Sequence, residues 1–447
     1  MRQHIIWREL AEPVPGLDGL LEATQVLERQ GEPLPGIGER LVEGNRFAVA
    51  RHGILGTALG DQIHGLVVQG ILVGHTRSLA GCACRGELLG SSVSLLAELA
   101  ATIRAAGPAA RGFPFERWAW RVFEYQYERN PAYRQLCDRR GISPRTVARW
   151  QDIPAVPAAA FRQADLACGP AEAVFRSSGT TAGDGMRSRH AVPSLDLYRA
   201  SAVPTFAHFL LPDAVRLPML ALLPPPELAP ASSLVRMCAW VGEELCTGVE
   251  WFADDTGLRR DALQARLVAA ADSGEAVVLA GPTAAFAALF ESGWRVRLGP
   301  GSRLMDTGGA KGMCRPLSRA GFLRACWHHL GLAAYWCVNE YGMSELCSQR
   351  YESVLHERFA GASLAPRRLL APPWLRTRVL DPDTLEEVSA GAPGLLCHHD
   401  LANAGSVAVV LTDDLGRAVD DGIAVLGRVP GAPARGCGLL LRELDER

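Results

Sequence analysis

Four short stretches carry side chains whose types and spacing could do chemistry. Residues 175–183 (FRSSGTTAG) set two serines, two threonines and two glycines almost in a row. Such a loop offers hydroxyls and unhindered backbone N–H groups, which can wrap phosphate oxygens because glycine permits the turn. Arg187, Arg189 and His190 follow closely, and cations beside such a loop suit a polyanion. No Gly-Lys-Ser/Thr follows, so this is not a Walker A loop. Residues 305–312 (MDTGGAKG) hold Lys311, the only lysine in a chain with 46 basic residues, the other 45 being arginine. A compact ammonium beside glycines can meet a phosphate or carboxylate as a point charge. Residues 339–345 (NEYGMSE) place Tyr341, where a base could stack, and Glu345, a hard oxygen ligand suited to Mg2+. Residues 411–416 (LTDDLG), followed by Arg428, offer Asp414 as a carboxylate able to accept both hydroxyls of a ribose. On its own this last stretch reads as an ordinary hairpin turn.

Elements must bring these stretches together. Apolar residues at 115, 118, 119, 122 and 123 mark one face of a helix that ends at Asn130-Pro131. Beyond it, runs of strand length alternate with helical stretches. Strands are expected at 219–223, 276–280 and 334–338, and helices at 258–271, 283–290 and 316–330. Alternation of this kind predicts α/β layering with parallel strands, whose carboxyl ends carry ligand-binding loops. After about Pro373 the pattern changes to short strands at 376–380, 394–398, 407–411 and 423–426, divided by Asp/Gly turns. That predicts a β-rich C-terminal subdomain. Residues 1–112 read as a separate unit of unassigned role, 113–373 as the α/β core and 374–447 as the β-rich part.

Composition narrows the classes of function. The 447 residues carry a formal charge of 46 − 48 = −2, so no strong positive field exists to attract nucleic acid or an anionic membrane. The most apolar stretch, 206–223, is interrupted by Asp213, Arg216 and two prolines and is not expected to span a membrane. The amino terminus lacks a secretory apolar run, and the twelve cysteines follow no disulfide framework. Together these predict a cytoplasmic protein with reduced thiols. In residues 397–400 (CHHD) the adjacent histidines, if on a strand, point to opposite faces and are poorly placed to share a metal.

The four stretches, in this order, resemble the adenylate-forming superfamily. The match is closer to one branch, the acyl-protein synthetases (long-chain-fatty-acid–protein ligases) of bacterial luminescence operons. Residues 177–190 (SSGTTAGDGMRSRH), 305–312 (MDTGGAKG), 339–351 (VNEYGMSELCSQRY from 338), 401–406 (LANAGS) and 412–416 (TDDLG) carry the resemblance, within a span from about Phe113 to Leu441. It implies an adenylate-forming-enzyme-like fold and a reaction with ATP and Mg2+. A fatty or other carboxylic acid becomes an acyl-adenylate, and the acyl group then moves to a cysteine of the protein, from which an acyl reductase or carrier partner would take it. By resemblance, Ser177, Ser178, Gly179, Thr180 and Thr181 fall on the phosphate loop. Tyr341, Gly342 and Glu345 fall on the adenine and Mg2+ segment, and Asp414 and Arg428 on the ribose and hinge positions. Cys437, flanked by Arg435 and two glycines, falls near the acyl cysteine.

Two departures stand out. Family relatives outside this branch follow the phosphate loop with Pro-Lys, where this chain has 184–187 (DGMR), and they carry a further domain bearing a catalytic lysine. Only 19 residues follow Arg428 here, none of them lysine. Lys311 is therefore expected to supply that charge, with Arg187 or Arg189 helping and His190 near the phosphate or the acid. An acyl-CoA or acyl-carrier ligase that has no need of Cys437 is the near alternative. A non-catalytic nucleotide- or partner-binding subunit of a fatty-acid reductase complex is the distant one.

Overall fold

The computed structural model describes residues 94–177, 187–308, 317–362 and 366–429. All lie within one compact unit, Glu87–Arg447. Helix α1 (Leu95–Ala106) starts at Ser94, whose side chain accepts from the Ala97 N–H. It buries Leu96, Leu99, Ala100 and Ile103 in the main core, on the amino-terminal side of the boundary expected at residue 112. Helix α2 (Phe115–Arg129) buries the face read from the sequence, Phe115, Trp118, Ala119, Val122 and Phe123. Each of the larger of these side chains contributes roughly 1.5–3 kcal/mol by leaving water. The chain then turns at Asn130, whose side chain caps α3 (Pro131–Arg139) by accepting from the Tyr133 N–H at 3.0 Å, with Pro131 pre-set for the first turn.

A short strand β1 (Val156–Pro157) precedes a hairpin, β2 (Ala173–Arg176) and β3 (Arg189–Val192). Then α4 (Leu195–Leu210) leads into the α/β layers. These comprise β4 (Pro218–Ala221), α5 (Ser233–Leu245), β5 (Gly248–Trp251), a small hairpin of β6 (Ala253–Asp254) and β7 (Gly257–Leu258), α6 (Arg260–Ser273), β8 (Val278–Pro282), α7 (Thr283–Glu291), β9 (Arg303–Thr307), α8 (Arg319–Leu330) and β10 (Cys337–Tyr341). Strands β5, β4, β8, β9 and β10 lie side by side and parallel. Successive residues alternate between two apolar clusters. Met219, Ala280, Met305 and Val338 face the cluster containing α4 and α5. Leu220, Leu279, Leu304 and Cys337 face the one containing α6, α7 and α8. Burial on both faces accounts for their continuous apolar character.

After β10 the chain reverses. Strand β11 (Arg350–Glu352) is antiparallel to β10, and α9 (Val354–Phe359) follows it. Strands β12 (Leu369–Leu370), β13 (Leu375–Leu380), β14 (Gly394–Asp400), β15 (Val409–Val419) and β16 (Gly422–Arg428) complete the sheet. The order β13-β14-β15-β16-β12-β11 is antiparallel throughout, and β1 joins β15 in parallel. The β-rich carboxyl-terminal part is thus joined to the α/β part by hydrogen bonds, through Leu369 opposite Ile423. Two local expectations change. Residues 334–336 form a 3-10 turn, and the strand begins at Cys337. Residues 411–416 are not a turn: they run inside the eleven-residue β15, where the pairing shifts at Leu415/Gly416.

Candidate active site

The hairpin β2–β3 forms the stalk of the Ser/Thr/Gly loop. Across it, Phe175 pairs with His190 and Arg176 with Arg189. At its mouth the Ser177 N–H donates to the Ser188 carbonyl at 3.3 Å, and the Ser188 N–H donates back to Ser177 Oγ at 3.1 Å. The two ends of the loop are therefore clamped together. Ser178, Gly179, Thr180 and Thr181 lie outside the described residues.

The buried Ser188 hydroxyl then donates to Glu345 Oε1 at 2.5 Å. This bond ties the return of the loop to the segment that follows β10. Glu345 is buried, and burial pushes its carboxyl above the usual range while Ser188 opposes that shift. No helix begins at Ser344; the segment is a turn between β10 and β11.

Tyr341, at the end of β10, reaches across to the antiparallel half. Its hydroxyl donates to Asp414 Oδ2 at 2.9 Å, and the Arg428 Nε–H donates to Asp414 Oδ1 at 2.7 Å. Asp414 and Arg428 are direct cross-strand partners on β15 and β16, so the backbone register itself makes this pair. Behind them a directional chain of hydrogen bonds fixes the His398 tautomer. Arg350 Nη2 donates to Thr377 Oγ1 at 2.5 Å. Thr377 Oγ1 lies 2.7 Å from His398 Nδ1, and His398 Nε2 lies 3.2 Å from the Tyr341 hydroxyl. With Tyr341 donating onward to Asp414, each link has one donor only if His398 carries its proton on Nε2. Burial, with Arg350 and His399 nearby, holds the His398 pKa well below its usual value, so the ring stays neutral.

A second hub lies behind Glu345. The Asn403 side-chain N–H groups donate to the Glu345 carbonyl at 2.9 Å and the Val407 carbonyl at 2.7 Å. Its Oδ1 faces His190 Nε2 at 2.8 Å, and His190 Nδ1 faces the Ser344 carbonyl at 2.7 Å. His190 is fully buried. Burial carries its pKa down to about 4, against the pull of the two oxygens that its ring nitrogens face. As a neutral ring with one N–H, His190 can donate to only one of these two oxygens, and it packs behind the Glu345 turn through them.

Of the 305–312 stretch, only the approach is described. Asp306 accepts from Arg319 at 2.7 Å, from Thr283 at 2.9 Å and from Asn339 at 2.9 Å, which locks β9 to β10 and two helices. The Thr307 hydroxyl donates to Glu340, whose pKa burial raises to about 7. Lys311 and Cys437 lie outside the described residues. Arg187 and Arg189 are exposed, and Arg189 lies 3.8 Å from Asp165. Thus Tyr341, Asp414 and Arg428 are hydrogen-bonded to one another, Ser177 is linked to Glu345 through Ser188, and the charge of Arg428 acts on Glu345. Ser188, His398, Thr377 and Arg350 are contributors that sequence reasoning missed. No spacing signals them, since each acts through a partner far away along the chain.

Residues 289–444, roughly the C-terminal third, match the family described as "Acyl-protein synthetase, LuxE". A curated relative, the long-chain-fatty-acid–luciferin-component ligase of Vibrio harveyi, is 23% identical over 338 residues, covering 72% of this chain and 85% of that protein. The ligase of the same description from Aliivibrio fischeri is 42% identical over 50 residues, which is 11% of this chain and 13% of that one. The chain is related to the acyl-protein synthetases. Its architecture agrees. A crystal structure of 2-hydroxyisobutyryl-CoA ligase in an open conformation, in complex with 2-HIB-AMP and CoA, superposes with a TM-score of 0.52 at 15% identity, over 70% of this chain and 74% of that one. The same ligase in its thioesterification state gives a TM-score of 0.50 at 17% identity, over 74% and 68%. At such identities the likeness concerns the fold, which is that of the adenylate-forming ligases. Among the described residues no helix is long and apolar enough to cross a membrane.

Proposed function

We propose that this chain is an AMP-forming ligase that activates a carboxylic acid, most simply a fatty acid, as its acyl-adenylate and passes the acyl group to Cys437. The observation that supports the reading is the Tyr341–Asp414–Arg428 contact together with a Glu345 tied by Ser188 to the clamped mouth of the Ser/Thr/Gly loop and acted on by the charge of Arg428. Residues 177–181 would take the phosphates, Tyr341 the adenine and Asp414 the ribose hydroxyls. Glu345 fits a Mg2+ ligand: burial raises its carboxyl pKa despite the Ser188 hydroxyl, its own backbone N–H and the charges of Arg428 and Arg162, and a neighbouring cation would favour its ionised form further. Mg2+ would supply positive charge against the charge that develops on the phosphates.

In the first step an oxygen of the acid bonds to the α-phosphorus, and the bond from that phosphorus to pyrophosphate breaks. Charge collects on phosphate oxygens, and prearranged cations stabilise it. Lys311 would be one of them. In the second step the Cys437 thiolate bonds to the acyl carbon and the carbon–oxygen bond to AMP breaks. Arg435 beside Cys437 would favour the thiolate. An acyl reductase would then consume the thioester.

Acid-dependent ATP–pyrophosphate exchange tests the first step. Exchange is expected with long-chain acids and to fall steeply in Lys311→Met; no exchange with short, long or aromatic acids would end the reading. Radiolabelled acid plus ATP tests the second step. Covalent label should appear on the wild type and vanish in Cys437→Ser, whereas retained label would point to transfer onto coenzyme A or a carrier.

A further inference from the structure

The antiparallel half of the sheet holds a groove of about 480 Å3 whose lining does not include Tyr341 or Asp414. It runs between the edge strand β13, residues 371–373 and the tip of the β15–β16 hairpin. Arg350 lines it. This side chain is 4% exposed, yet among the described residues it forms no ion pair, and its buried Nε–H has no hydrogen-bond partner. Its other contacts are neutral: the Leu369 carbonyl at 3.3 Å and the Thr377 hydroxyl at 2.5 Å. A buried guanidinium normally has a carboxylate, because removing the charge from water is costly without one. Burial drags its pKa down to about 10.

The surroundings favour a negative guest. Arg111, Arg376 and Arg378 also line the groove, against Glu387, Asp420 and Asp421. Two of those carboxylates are already engaged, Glu387 with Arg378 at 3.3 Å and Asp421 with Arg368 at 2.5 Å. Arg376 lies over the rings of Phe115 at 4.2 Å and Trp150 at 5.1 Å, and its nearest carboxylate, Glu116, is 4.0 Å away. Four arginines line the groove against three carboxylates; beyond the Arg378–Glu387, Arg376–Glu116 and Arg368–Asp421 pairs, Arg111 and Arg350 stand against Asp420 among the described residues, and apolar side chains such as Leu375 and Ile423 complete the walls.

We infer that this groove is a second binding site, in which Arg350 receives an oxyanion of the phosphate or carboxylate class. The guanidinium is pre-positioned for it. Thr377 holds Nη2 from one side and is itself held by His398, so little ordering cost remains on binding. Planar oxyanions and phosphates both suit the free edge of a guanidinium. The groove's lining does not include Tyr341, Glu345 or Asp414, but Arg350 reaches Tyr341 through Thr377 and His398, so the test reads anion binding with the nucleotide site occupied.

Calorimetric titration of the full chain, with AMP held in excess to occupy the nucleotide site, tests it. Inorganic phosphate, pyrophosphate and octanoate are the probes, and their ranking separates a phosphate site from a carboxylate site. At least one should bind saturably to the wild type. The same anion should bind at least tenfold more weakly to Arg350→Met, and to Ala418→Glu, which places a carboxylate on the exposed rim of the groove. No saturable binding by any probe overturns the proposal, as does wild-type affinity in either folded variant. Should Arg350→Met lose its cooperative melt, Ala418→Glu decides alone. AMP that fails to bind would count against the nucleotide site while leaving the Arg350 result intact.

Discussion

The two halves of the one sheet build their parts of the site in opposite ways. In the parallel half the strands are apolar on both faces, and chemistry is confined to the ends: Thr307 and Glu340 near the tips of β9 and β10, then the Tyr341–Glu345 turn. In the antiparallel half the polar groups lie inside the strands. His398 is on β14, Thr412 and Asp414 are on β15, and Arg428 faces Asp414 across the ladder. Parallel strands need helices on both faces, so their middles are occupied by packing. Antiparallel strands pair residue against residue, so an acid and a base can be set opposite each other by register alone. The first half presents groups on a turn and the second holds them on a rigid ladder, and the Tyr341 hydroxyl bridges the two at Asp414.

If that division holds, the ladder pair should be the more costly to disturb for chemistry. Asp414→Asn keeps the shape but removes the charge between Arg428 and the Tyr341 hydroxyl. It should lower kcat/KM for ATP on the order of 10³-fold, about 4 kcal/mol of lost transition-state binding. The melting temperature should barely move, because the Arg428 side chain is 51% exposed and the ion pair is screened. Exchange kinetics near wild type in this variant would reduce the antiparallel half to scaffold.

The tips of the parallel half carry a different liability, a buried acid. Burial raises the Glu340 pKa from 4.5 to about 7, with Asp306 adding to the rise and the Thr307 hydroxyl opposing it. Between those two pH values the folded chain keeps a proton that the unfolded chain gives up. Stability from this group is therefore full below about pH 4.5 and is lost as pH rises towards 7. A shift of that size corresponds to something on the order of 3 kcal/mol. Asp400, raised to about 6 by burial, has the same sign, while His190 acts the other way, losing stability as pH falls towards 4. Urea midpoints at pH 5 and pH 7.5 for wild type and Glu340→Gln isolate the first effect. The variant should gain on the wild type at the higher pH, and an identical gap at both values would remove Glu340 from the account.

The same division explains what could be read without coordinates. The α2 face at residues 115–123 shows itself through local periodicity and the strands at 218–221 and 278–282 through short apolar runs, whereas the Tyr-Gly-x-Ser-Glu residues after β10 stand out by residue type and resemblance. The antiparallel half was legible as short strands but not as a continuation of the sheet. The joint is two residues long, Leu369 and Leu370, too short for any periodic signal. Asp414 was placed at the site by resemblance, yet the Thr-Asp-Asp-Leu-Gly run looks like a turn because Asp and Gly favour turns, and only long-range pairing makes it a strand. Asn403, His398 and Arg350 act through partners separated in sequence by dozens to hundreds of residues. No window along the chain contains both ends of such a contact.

Two glycines sharpen the comparison at smaller scale, one from each half. At Gly342, in the turn after β10, an added Cβ would lie 2.4 Å from Glu340 Oε1 and 3.4 Å from Gln349 Cγ. Those are side-chain atoms, but Glu340 is buried and its other oxygen is held by Thr307, so the turn must shift. At Gly416, inside β15, the added atom would lie 2.8 Å from the Ala424 carbonyl oxygen and 2.7 Å from Leu396 Cδ2. Here the neighbours are backbone and core, and the ladder itself must open. Overpacking of either kind costs roughly 1–3 kcal/mol, but it should be read out differently. Gly342→Ala should raise KM for ATP about tenfold, equivalent to ~1.4 kcal/mol, with a small change in melting temperature. Gly416→Ala should lower the melting temperature by several degrees and reduce the active fraction without a selective change in KM. Matched effects on KM and melting in both variants would mean that turn and ladder share one rigid unit, and that the contrast between the halves describes topology alone.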